Sequence, residues 1–427
     1  MATGIPSNNG KRNIKGFSLT YEGKTNPIEV LNGPRAELAC VFENQTESTN
    51  RLIYGDNLPV LRTMLDDKAF RNKVRLIYID PPFATGADFE SRTQEKAYSD
   101  QLQGADYLEF LRQRLIVLKE LLAEDGSIYV HLDSNMAFAT KLLMDEIFGA
   151  ENFRNWITRR KTNPKNYTSK TYGNISDYIL FYSKSKNYVW NKQTHPLPSE
   201  FADSEYRHID ERTGRRYMRV PVHAPGVRKG ATGKTWKGMQ PPPGKHWQYL
   251  PSKLDEMDSK GHIYWSKNGN PRRKIYLDEH KGVGLQDIWW DFKDAHNQNV
   301  KITGYPTEKN PELIKRILLG SSNEGDIVLD AFMGSGTVAE VASLANRKWI
   351  GIDNSFEAIK TTVRRLTHGT ERMGDYVKKE NGSQQMKFEL PKKTKVAFSL
   401  YSHEQDRLVE AIGLRLEAWQ NDIYLTQ

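Results

Sequence analysis

The chain has 427 residues, a formal net charge of +9 and one cysteine, Cys40. Its length can bury a large core and allows two or three domains, and a single cysteine excludes both an intrachain disulfide framework and a multi-cysteine zinc site. The ten histidines are dispersed, so no metal is expected, and the lack of a long apolar run or a hydrophobic signal region predicts a cytoplasmic protein without a membrane-spanning helix.

The first part of the chain predicts a strand that ends in a rigid turn. Residues 1–50 are polar and are interpreted as an N-terminal arm of unknown role. The apolar run Arg51–Tyr54 is followed by Asp56 and a leucine-spaced helix, so Asp56 is either a helix cap or a functional residue at a strand end. Leu76–Ile79 predicts a short buried strand, and Asp80-Pro81-Pro82-Phe83 ends it because proline cannot continue a sheet ladder.

The turn after this strand presents a carboxylate, a fixed bend and an aromatic ring together. In open α/β sheets, ligands bind at the carboxyl ends of the strands. The next elements alternate, as in a parallel sheet with crossover helices: a helix over 107–122, a strand over 127–132 and a helix over 136–148. His131 lies inside that strand, where a histidine is more often structural than catalytic.

Between residues 155 and 294 the periodicity weakens and the composition changes. From 155 to 293 there are 26 lysines and arginines against 13 acids, and seven of the nine tryptophans lie here. Only Tyr178–Tyr182 predicts a clear strand, so 155–294 is interpreted as an inserted region. Basic residues interleaved with aromatics fit a polyanion with exposed bases, and equally a solvated basic face over an aromatic core.

Regular α/β order returns at Asn310. An asparagine cap, Pro311 at the first helical position and an acid in the first turn predict a helix start. The elements beyond it are a strand over 327–330, a glycine turn over 332–337, a helix over 338–345, a strand over 349–353 and a helix over 356–366. Residues 376–427 are interpreted as a C-terminal extension, with a basic stretch at 391–395 and an amphipathic helix near 404–419.

The strand, glycine turn and helix around Gly334 and Gly336 are typical of a nucleotide site. Glycines let the backbone approach the ligand, and the helix N-terminus offers unpaired N–H groups. With Ala339 they satisfy the dinucleotide fingerprint, and Asp353 ends the next strand, where a ribose-binding acid belongs. The pattern admits a dinucleotide cofactor or S-adenosylmethionine, and it is not a P-loop because no Gly-Lys-Ser/Thr follows.

Several motifs resemble those of DNA methyltransferases that modify amino groups. Asp80-Pro81-Pro82-Phe83 resembles their catalytic motif, Asn/Asp/Ser-Pro-Pro-aromatic, and the later Asp330–Thr337 resembles their methyl-donor motif, an order similar to the circularly permuted β class. Tyr305-Pro306-Thr307-Glu308-Lys309 looks like the segment that leads into the donor-binding half, except that Asn310 separates Lys309 from Pro311. Further segments are similar to adenine methyltransferases of type III modification systems and their solitary relatives: 54–57, 86–89 and 177–184.

The resemblance implies a Rossmann-like α/β methyltransferase sheet, circularly permuted, with an inserted target-recognition region. It divides the chain into a catalytic half at 51–154, the target-recognition region at 155–294 and a methyl-donor-binding half at 295–375. It implies that Asp80 and the Pro81 carbonyl accept the N–H groups of a target amine, that the prolines fix the turn, and that Phe83 stacks on the base. The residues that it assigns to S-adenosylmethionine are Asp56 near the adenine, Asp353 on the ribose hydroxyls, and Thr307, Lys309, Asp330, Phe332, Gly334 and Gly336.

The function that this resemblance implies is sequence-specific methylation of double-stranded DNA. The expected reaction moves a methyl group from S-adenosylmethionine to the N6 amine of a flipped-out adenine. The alternatives are a cytosine-N4 enzyme with the same fold, a non-catalytic DNA-binding specificity subunit and, more distantly, an oxidoreductase; the acid Asp80 and the aromatic Phe83 favour adenine. Enzymes of this class often dimerise or work with a restriction subunit, so both are candidate partners.

Overall fold

A computed structural model describes residues 18–43, 49–82, 88–90, 96–99, 104–164, 170–292, 305, 308–368 and 396–402. The strands in chain order are β1 Ala39–Glu43, β2 Arg51–Tyr54, β3 Val74–Ile79, β4 Asp88–Glu90, β5 Lys96–Ser99, β6 Leu122–Leu132, β7 Phe153–Arg160, β8 Ser176–Ser183, β9 Thr194–His195, β10 His208–Ile209, β11 Arg216–Pro221, β12 His223–Pro225, β13 Lys245–Trp247, β14 Ile263–Trp265, β15 Pro271–Tyr276, β16 Val283–Gly284, β17 Ile288–Trp289, β18 Ile327–Asp330, β19 Lys348–Asp353 and β20 Ser399–Ser402. The helices are α1 Pro27–Asn32, α2 Asn57–Asp66, α3 Gly104–Leu121, α4 Ala137–Phe148, α5 Ser199–Glu205, α6 Pro251–Ser259, α7 Pro311–Ser321, α8 Thr337–Leu344 and α9 Phe356–His368.

The chain divides into two compact units: Met1–Asn191 with Gln286–Gln427, and Lys192–Leu285. The first unit is built around a ten-stranded sheet in the order β1-β20-β2-β19-β18-β3-β6-β8-β7-β17. The run from β20 to β6 is parallel throughout. The chain leaves β18 through α8 towards β19 on one side, and leaves β3 through α3 towards β6 on the other. The strand order therefore reverses between β18 and β3, which is where open α/β sheets bind ligands.

The central strand β3 is buried on both faces, as its nearly continuous apolar sequence predicts. Ile77 and Ile79 belong to a core cluster with residues of α2, α3 and α4, whereas Leu76 and Tyr78 belong to a second cluster with residues of α7, α8 and α9. Helices thus cover both sides of the sheet, which is the doubly wound α/β arrangement. The predicted fold class is confirmed.

The helices and strands predicted before residue 155 and after residue 294 are also confirmed where the structure describes them. The start of α7 is the clearest case, because the Asn310 side chain accepts the Glu312 N–H at 3.0 Å and Pro311 takes the first helical position. Asn310, the residue by which this chain departs from the family's pattern, therefore caps a helix. The predicted strand over 127–132 is the end of a longer strand, β6.

The separate unit is smaller than the region 155–294 that was interpreted as inserted. Strands β7, β8 and β17 extend the large sheet, with antiparallel β6–β8 and β8–β7 pairs and a parallel β7–β17 pair. Strand β8 is apolar enough to be buried in that sheet, with Ile179 to Tyr182 almost fully covered. Lys192–Leu285 alone forms the second unit.

The second unit has a small core of its own beside a four-stranded antiparallel sheet, β10-β11-β15-β14. Its core residues are Val222, Trp236, Trp247, Leu254 and Ile263. The indole N–H groups find partners: Trp236 Nε1 donates to Asp255 at 2.8 Å, and Trp247 Nε1 donates to the Lys234 carbonyl at 2.9 Å. Trp236 and Trp247, two of the seven tryptophans between residues 155 and 293, therefore belong to a hydrophobic core.

Both ends of the chain contribute strands to the large sheet. Strand β20, from the segment interpreted as a C-terminal extension, lies between β1 and β2. The predicted helix near 404–419 and the basic stretch at 391–395 lie outside the described residues. Within the described ranges, every helix is too short or too polar to cross a bilayer.

Candidate active site

A pocket lies at the carboxyl ends of β3, β18 and β19, where the strand order reverses. Its empty volume is about 780 Å³, part of it open to solvent, and pockets for small molecules measure roughly 300–1,000 Å³. The predicted site residues that line it are Asp80, Pro81, Pro82, Lys309, Asp330, Phe332, Gly334 and Asp353. Phe83 and Thr307 lie outside the described residues.

Asp80 stands at the wall of this pocket, with one oxygen bound by a lysine and the other without a donor among the described residues. Lys309 Nζ contacts Asp80 Oδ2. Asp80 Oδ1 is buried and accepts no hydrogen bond from the described residues. A buried carboxylate oxygen without a donor is costly, by about 1–3 kcal/mol or more, so this atom is an acceptor suited to the N–H of a ligand.

A buried ion pair fixes the segment that carries Lys309. Arg365 of α9 contacts Glu308 and also donates to Glu340 Oε2 at 2.9 Å and Thr337 Oγ1 at 3.1 Å, both on α8. Its side chain is 0% exposed, so breaking the pair would leave an uncompensated buried charge. Glu308 thereby ties the segment before α7 to α8 and α9, and Lys309 reaches Asp80 from this fixed position.

The glycine turn after β18 has the backbone geometry that its sequence predicts. Gly334 has φ +52° and Gly336 has φ +78°, a region that residues with a Cβ rarely adopt. A Cβ on Gly336 would also lie 2.7 Å from the Thr362 side chain. Thr362 in turn donates to the Gly334 carbonyl at 3.0 Å, so α9 holds the turn in place.

Two further carboxyl groups line the pocket, and burial shifts both. Asp353 accepts the Gly334 N–H at 2.8 Å through Oδ2 and the Ser355 N–H at 2.9 Å through Oδ1. Burial outweighs these bonds and raises the pKa of Asp353 to about 6. Burial likewise raises the pKa of Asp330 well above its usual value, while Oδ1 accepts the Phe332 N–H at 3.0 Å. The oxygens of Asp353 retain lone pairs that can accept two ribose hydroxyls.

Asp56 lies outside the set of residues that line the pocket. It caps α2 by accepting the Leu58 N–H at 3.1 Å, and it pairs with Arg114 Nη2 at 2.9 Å. The neighbouring Gly55 N–H donates to the Asp353 carbonyl at 2.9 Å, which keeps this turn next to the pocket. The helix-cap interpretation accounts for these contacts, and proximity to the adenine of the donor stays a prediction.

Sequence reasoning missed a buried network behind the catalytic turn. Tyr78, which lines the pocket, hydrogen-bonds His131 Nδ1 at 2.8 Å, and His131 Nε2 lies 2.9 Å from Asp177 Oδ2. Arg159 Nη1 contacts the same oxygen at 3.0 Å. Burial alone would raise the pKa of Asp177, but His131 and Arg159 outweigh it and hold the pKa at about 2. The only signal in the sequence was strand alternation, which puts Tyr78 on the same side as Asp80.

The fold and the pocket together define an α/β protein with a nucleotide-type site, in which a glycine turn and the Asp80 carboxylate meet at the strand-order reversal. The sequence model of the DNA methylase family matches residues 74–364, and the chain belongs to this family. The type II methyltransferase M.EcaI of Enterobacter cloacae is 52% identical over 88% of this chain and 82% of that protein. The StyLTI Mod subunit of Salmonella typhimurium, a type III restriction-modification enzyme, is 28% identical over 74% of this chain but only 53% of its own length. The crystal structure of the M1.HpyAVI–SAM complex aligns with a TM-score of 0.40 at 17% identity, over 74% of this chain and 98% of that chain.

The protein is therefore a DNA methyltransferase, and its methyl donor is S-adenosylmethionine. Its pocket fits that molecule on three observations. Gly334, which has a positive φ, lines the pocket with its backbone, Asp353 offers acceptors for a ribose, and Asp80 Oδ1 accepts no hydrogen bond from the described residues. The predicted cofactor is confirmed, while the role of each residue stays a prediction.

Replacing Gly336 with alanine should weaken binding of S-adenosylmethionine. The new Cβ would meet Thr362 and disturb the bond that holds the Gly334 carbonyl. We expect at least a tenfold loss of affinity by calorimetry. Gly325→Ala is the matched control, because Gly325 has φ +79° but nothing within 4 Å of its virtual Cβ. Equal losses in the two variants would show that backbone strain, and not the Thr362 contact, is responsible.

The affinity for S-adenosylmethionine should decrease as the pH is lowered, because Asp353 becomes protonated. The pKa is raised to about 6, so the carboxylate is ionised above pH 6 and becomes protonated below it, losing acceptors. If only the ionised form binds the ribose, affinity one unit below the pKa should be about tenfold weaker. Calorimetry from neutral to acidic pH measures this slope. Asp353→Asn should bind weakly with no such slope, and a wild type without it would contradict the assignment.

Proposed function

We propose that this protein methylates the N6 amine of an adenine that is flipped out of double-stranded DNA. The observation that carries the proposal is the buried Oδ1 of Asp80, an acceptor at the pocket wall to which no described residue donates. An exocyclic amine supplies the N–H that this atom lacks. A flipped base brings that amine to the pocket because a stacked one cannot reach it.

The reaction depends on two hydrogen-bond acceptors for the amine and not on a general base. When bound, S-adenosylmethionine supplies an electrophilic methyl group, whose bond to sulfur breaks as the amine nitrogen forms its bond to carbon. The amine of adenine is a poor nucleophile because its lone pair is delocalised into the ring. Asp80 Oδ1 and the Pro81 carbonyl, each accepting one N–H, would draw the nitrogen towards tetrahedral geometry and free the lone pair. Positioning of this kind supplies most of the rate in such a displacement.

Asp80 would also stabilise the charge that the reaction creates. The positive charge moves onto the nitrogen as the methyl group arrives, and the carboxylate lies next to it. After transfer the cationic nitrogen releases its surplus proton to solvent, so no general base is needed before attack. Pro81 and Pro82 fix the turn, and Phe83 would stack on the base.

The acid at the first position of the catalytic motif supports adenine over cytosine. The family model carries both N6 and N4 enzymes in its name, and cytosine-N4 enzymes more often have serine at this position. The N4 reaction uses the same geometry and remains the second candidate. A non-catalytic specificity subunit is disfavoured because Asp80 and the glycine turn are both intact.

The Lys192–Leu285 unit is proposed to recognise the DNA target. It carries 18 lysines and arginines against 10 acids, which supports contact with a polyanion. Several similar proteins are named as restriction-modification enzymes, so we propose a place for this enzyme in such a system, with a restriction subunit or a second copy as partner. A DNA substrate would locate it in the cytoplasm.

The reaction can be tested by identifying the methylated base. DNA is incubated with radiolabelled donor, digested to nucleosides and separated, and we expect label in N6-methyladenine. Asp80→Ala should lower turnover by at least a thousandfold while donor binding by calorimetry persists. Label in N4-methylcytosine would overturn the adenine assignment, and full turnover of Asp80→Ala would remove the carboxylate from the mechanism.

Lys309 offers a second test, because its contact with Asp80 predicts a positioning role and the sequence motif predicts a donor contact. Lys309→Met keeps the aliphatic stem and removes the ammonium group that contacts Asp80 Oδ2. If Lys309 orients the Asp80 carboxylate, the kcat of Lys309→Met should fall by roughly ten- to a hundredfold, with little change in its affinity for the methyl donor. A large loss of donor affinity at unchanged kcat would instead support the donor contact. Lys315→Met, on exposed α7 surface, is the matched control.

A further inference from the structure

The four-stranded sheet of the second unit has two chemically different faces. Side chains directly opposite in antiparallel strands share a face, and alternate residues change face. Arg219 pairs with Lys274, and Arg272 pairs with both Pro221 and Tyr264. One face, called the basic face here, therefore carries His208, Tyr217, Arg219, Tyr264, Arg272, Lys274 and Tyr276.

The opposite face is already occupied. Ile263 and Trp265, which alternate with Tyr264 along β14, belong to or pack against the core cluster. Helix α6 supplies Leu254 to the same cluster. The core cluster thus lies on that side. On the basic face Tyr217 and Tyr276 are buried at one end, whereas Arg219, Tyr264 and Arg272 at the other end remain accessible, and the core does not explain why cations gather there.

Some cations of the second unit are neutralised within it, but Arg219 and Arg272 on the basic face are not. Lys274 pairs with Asp210 at 2.8 Å, and Arg215 pairs with Asp278 and Glu279. Within Lys192–Leu285, all of which is described, Arg219 and Arg272 have no carboxylate at ion-pair distance. Arg272 is exposed and Arg219 is half-buried.

Arg219 is also held in one orientation. Its guanidinium carbon lies 3.6 Å from the centroid of the Tyr264 ring, and Nη2 donates to the Tyr217 hydroxyl at 3.3 Å. Stacking fixes the plane of the guanidinium and leaves donors at its edge. Nε is buried and donates to no described residue. A planar fork of this kind matches a phosphate or the edge of a guanine.

The lowered pKa values of two histidines indicate a positive potential around these arginines. Burial, with Arg219 and Arg207, lowers the pKa of His208. Burial, with Lys245 and Arg272, lowers the pKa of His223. Uncompensated cations thus extend from Arg207 across the sheet to Lys245, a path suited to a repeating anion.

We propose that the basic face binds the target DNA, with Arg219 and Arg272 contacting phosphate oxygens or base edges. The inference rests on the proposed role of the Lys192–Leu285 unit in target recognition. It narrows that role to one face of one sheet. Arg219, fixed on Tyr264, is the better candidate for a base edge, and the exposed Arg272 is the better candidate for a phosphate.

The test uses the full-length protein and a duplex that carries the methylated site, mapped first with the wild type by sequencing. Binding is measured over a range of KCl concentrations for Arg219→Gln, Arg272→Gln and the double variant. Each single change should weaken binding roughly tenfold, and a lost phosphate contact should reduce the salt slope by about 1. Arg219→Lys keeps the charge, so relaxed site selectivity with an unchanged slope would identify a base-edge contact.

Lys253→Gln is the matched control, because Lys253 is an exposed cation on α6. It should bind and methylate like the wild type, and unchanged donor affinity and unfolding midpoint confirm folding of each variant. Wild-type affinity, slope and site pattern in the double variant would overturn the inference and point to an acidic protein as the partner of this face. A wild type that leaves DNA unmethylated would refute the proposed function itself, which is a distinguishable failure.

Discussion

The pairing of β18 with β3 is the constraint on which the active site depends. The two strands come from opposite halves of the sequence, yet their parallel register aligns Val328 with Leu76 and Leu329 with Ile77. Parallel strands end at the same edge, so Asp330 and Asp80 emerge side by side at the reversal of strand order. A slip of one residue would move Tyr78 and Leu76 to the other core and turn Asp80 away. Burial of both faces of β3 by helices excludes that slip.

The pocket wall is then fixed by buried polar groups, whose partners are dictated by the cost of burying charge. On one side Arg365 joins Glu308 to α8 and α9, and this brings Lys309 to Asp80. On the other side Asp177 compensates Arg159 and orients His131, which holds the hydroxyl of Tyr78. The Asp80 carboxylate between two such supports has little freedom, which is what its proposed acceptance of N–H groups in a fixed geometry needs.

The strand ends and helix starts could be predicted from the sequence because local interactions determine them. Asn310 with Pro311, the glycine turn and the Asp-Pro-Pro bend each act within a few residues, so their pattern is visible without a fold. Partners distant in sequence are not visible in this way. Nothing in the apolar strand around His131 indicates Asp177, and nothing in Glu308 indicates Arg365. The predicted bounds of the inserted region differ from those of the second unit for a related reason. β7 is rich in polar residues and β17 has two residues, so periodicity assigns neither strand to the large sheet.

The charges of the pocket differ from those of Lys192–Leu285, the unit that is proposed to contact DNA. Among the described residues that line the pocket, Asp80, Glu308, Asp330 and Asp353 are acids and Lys309 is the one cation. Arg365 compensates Glu308 and Lys309 compensates Asp80, so the acid groups that remain, Asp330 and Asp353, suit an amine or a cationic sulfonium better than the phosphate backbone of DNA. Attraction for that backbone is proposed to come from Lys192–Leu285, whose excess of cations can supply it. On this proposal, one unit attracts the polyanion while the pocket holds the amine and the methyl donor.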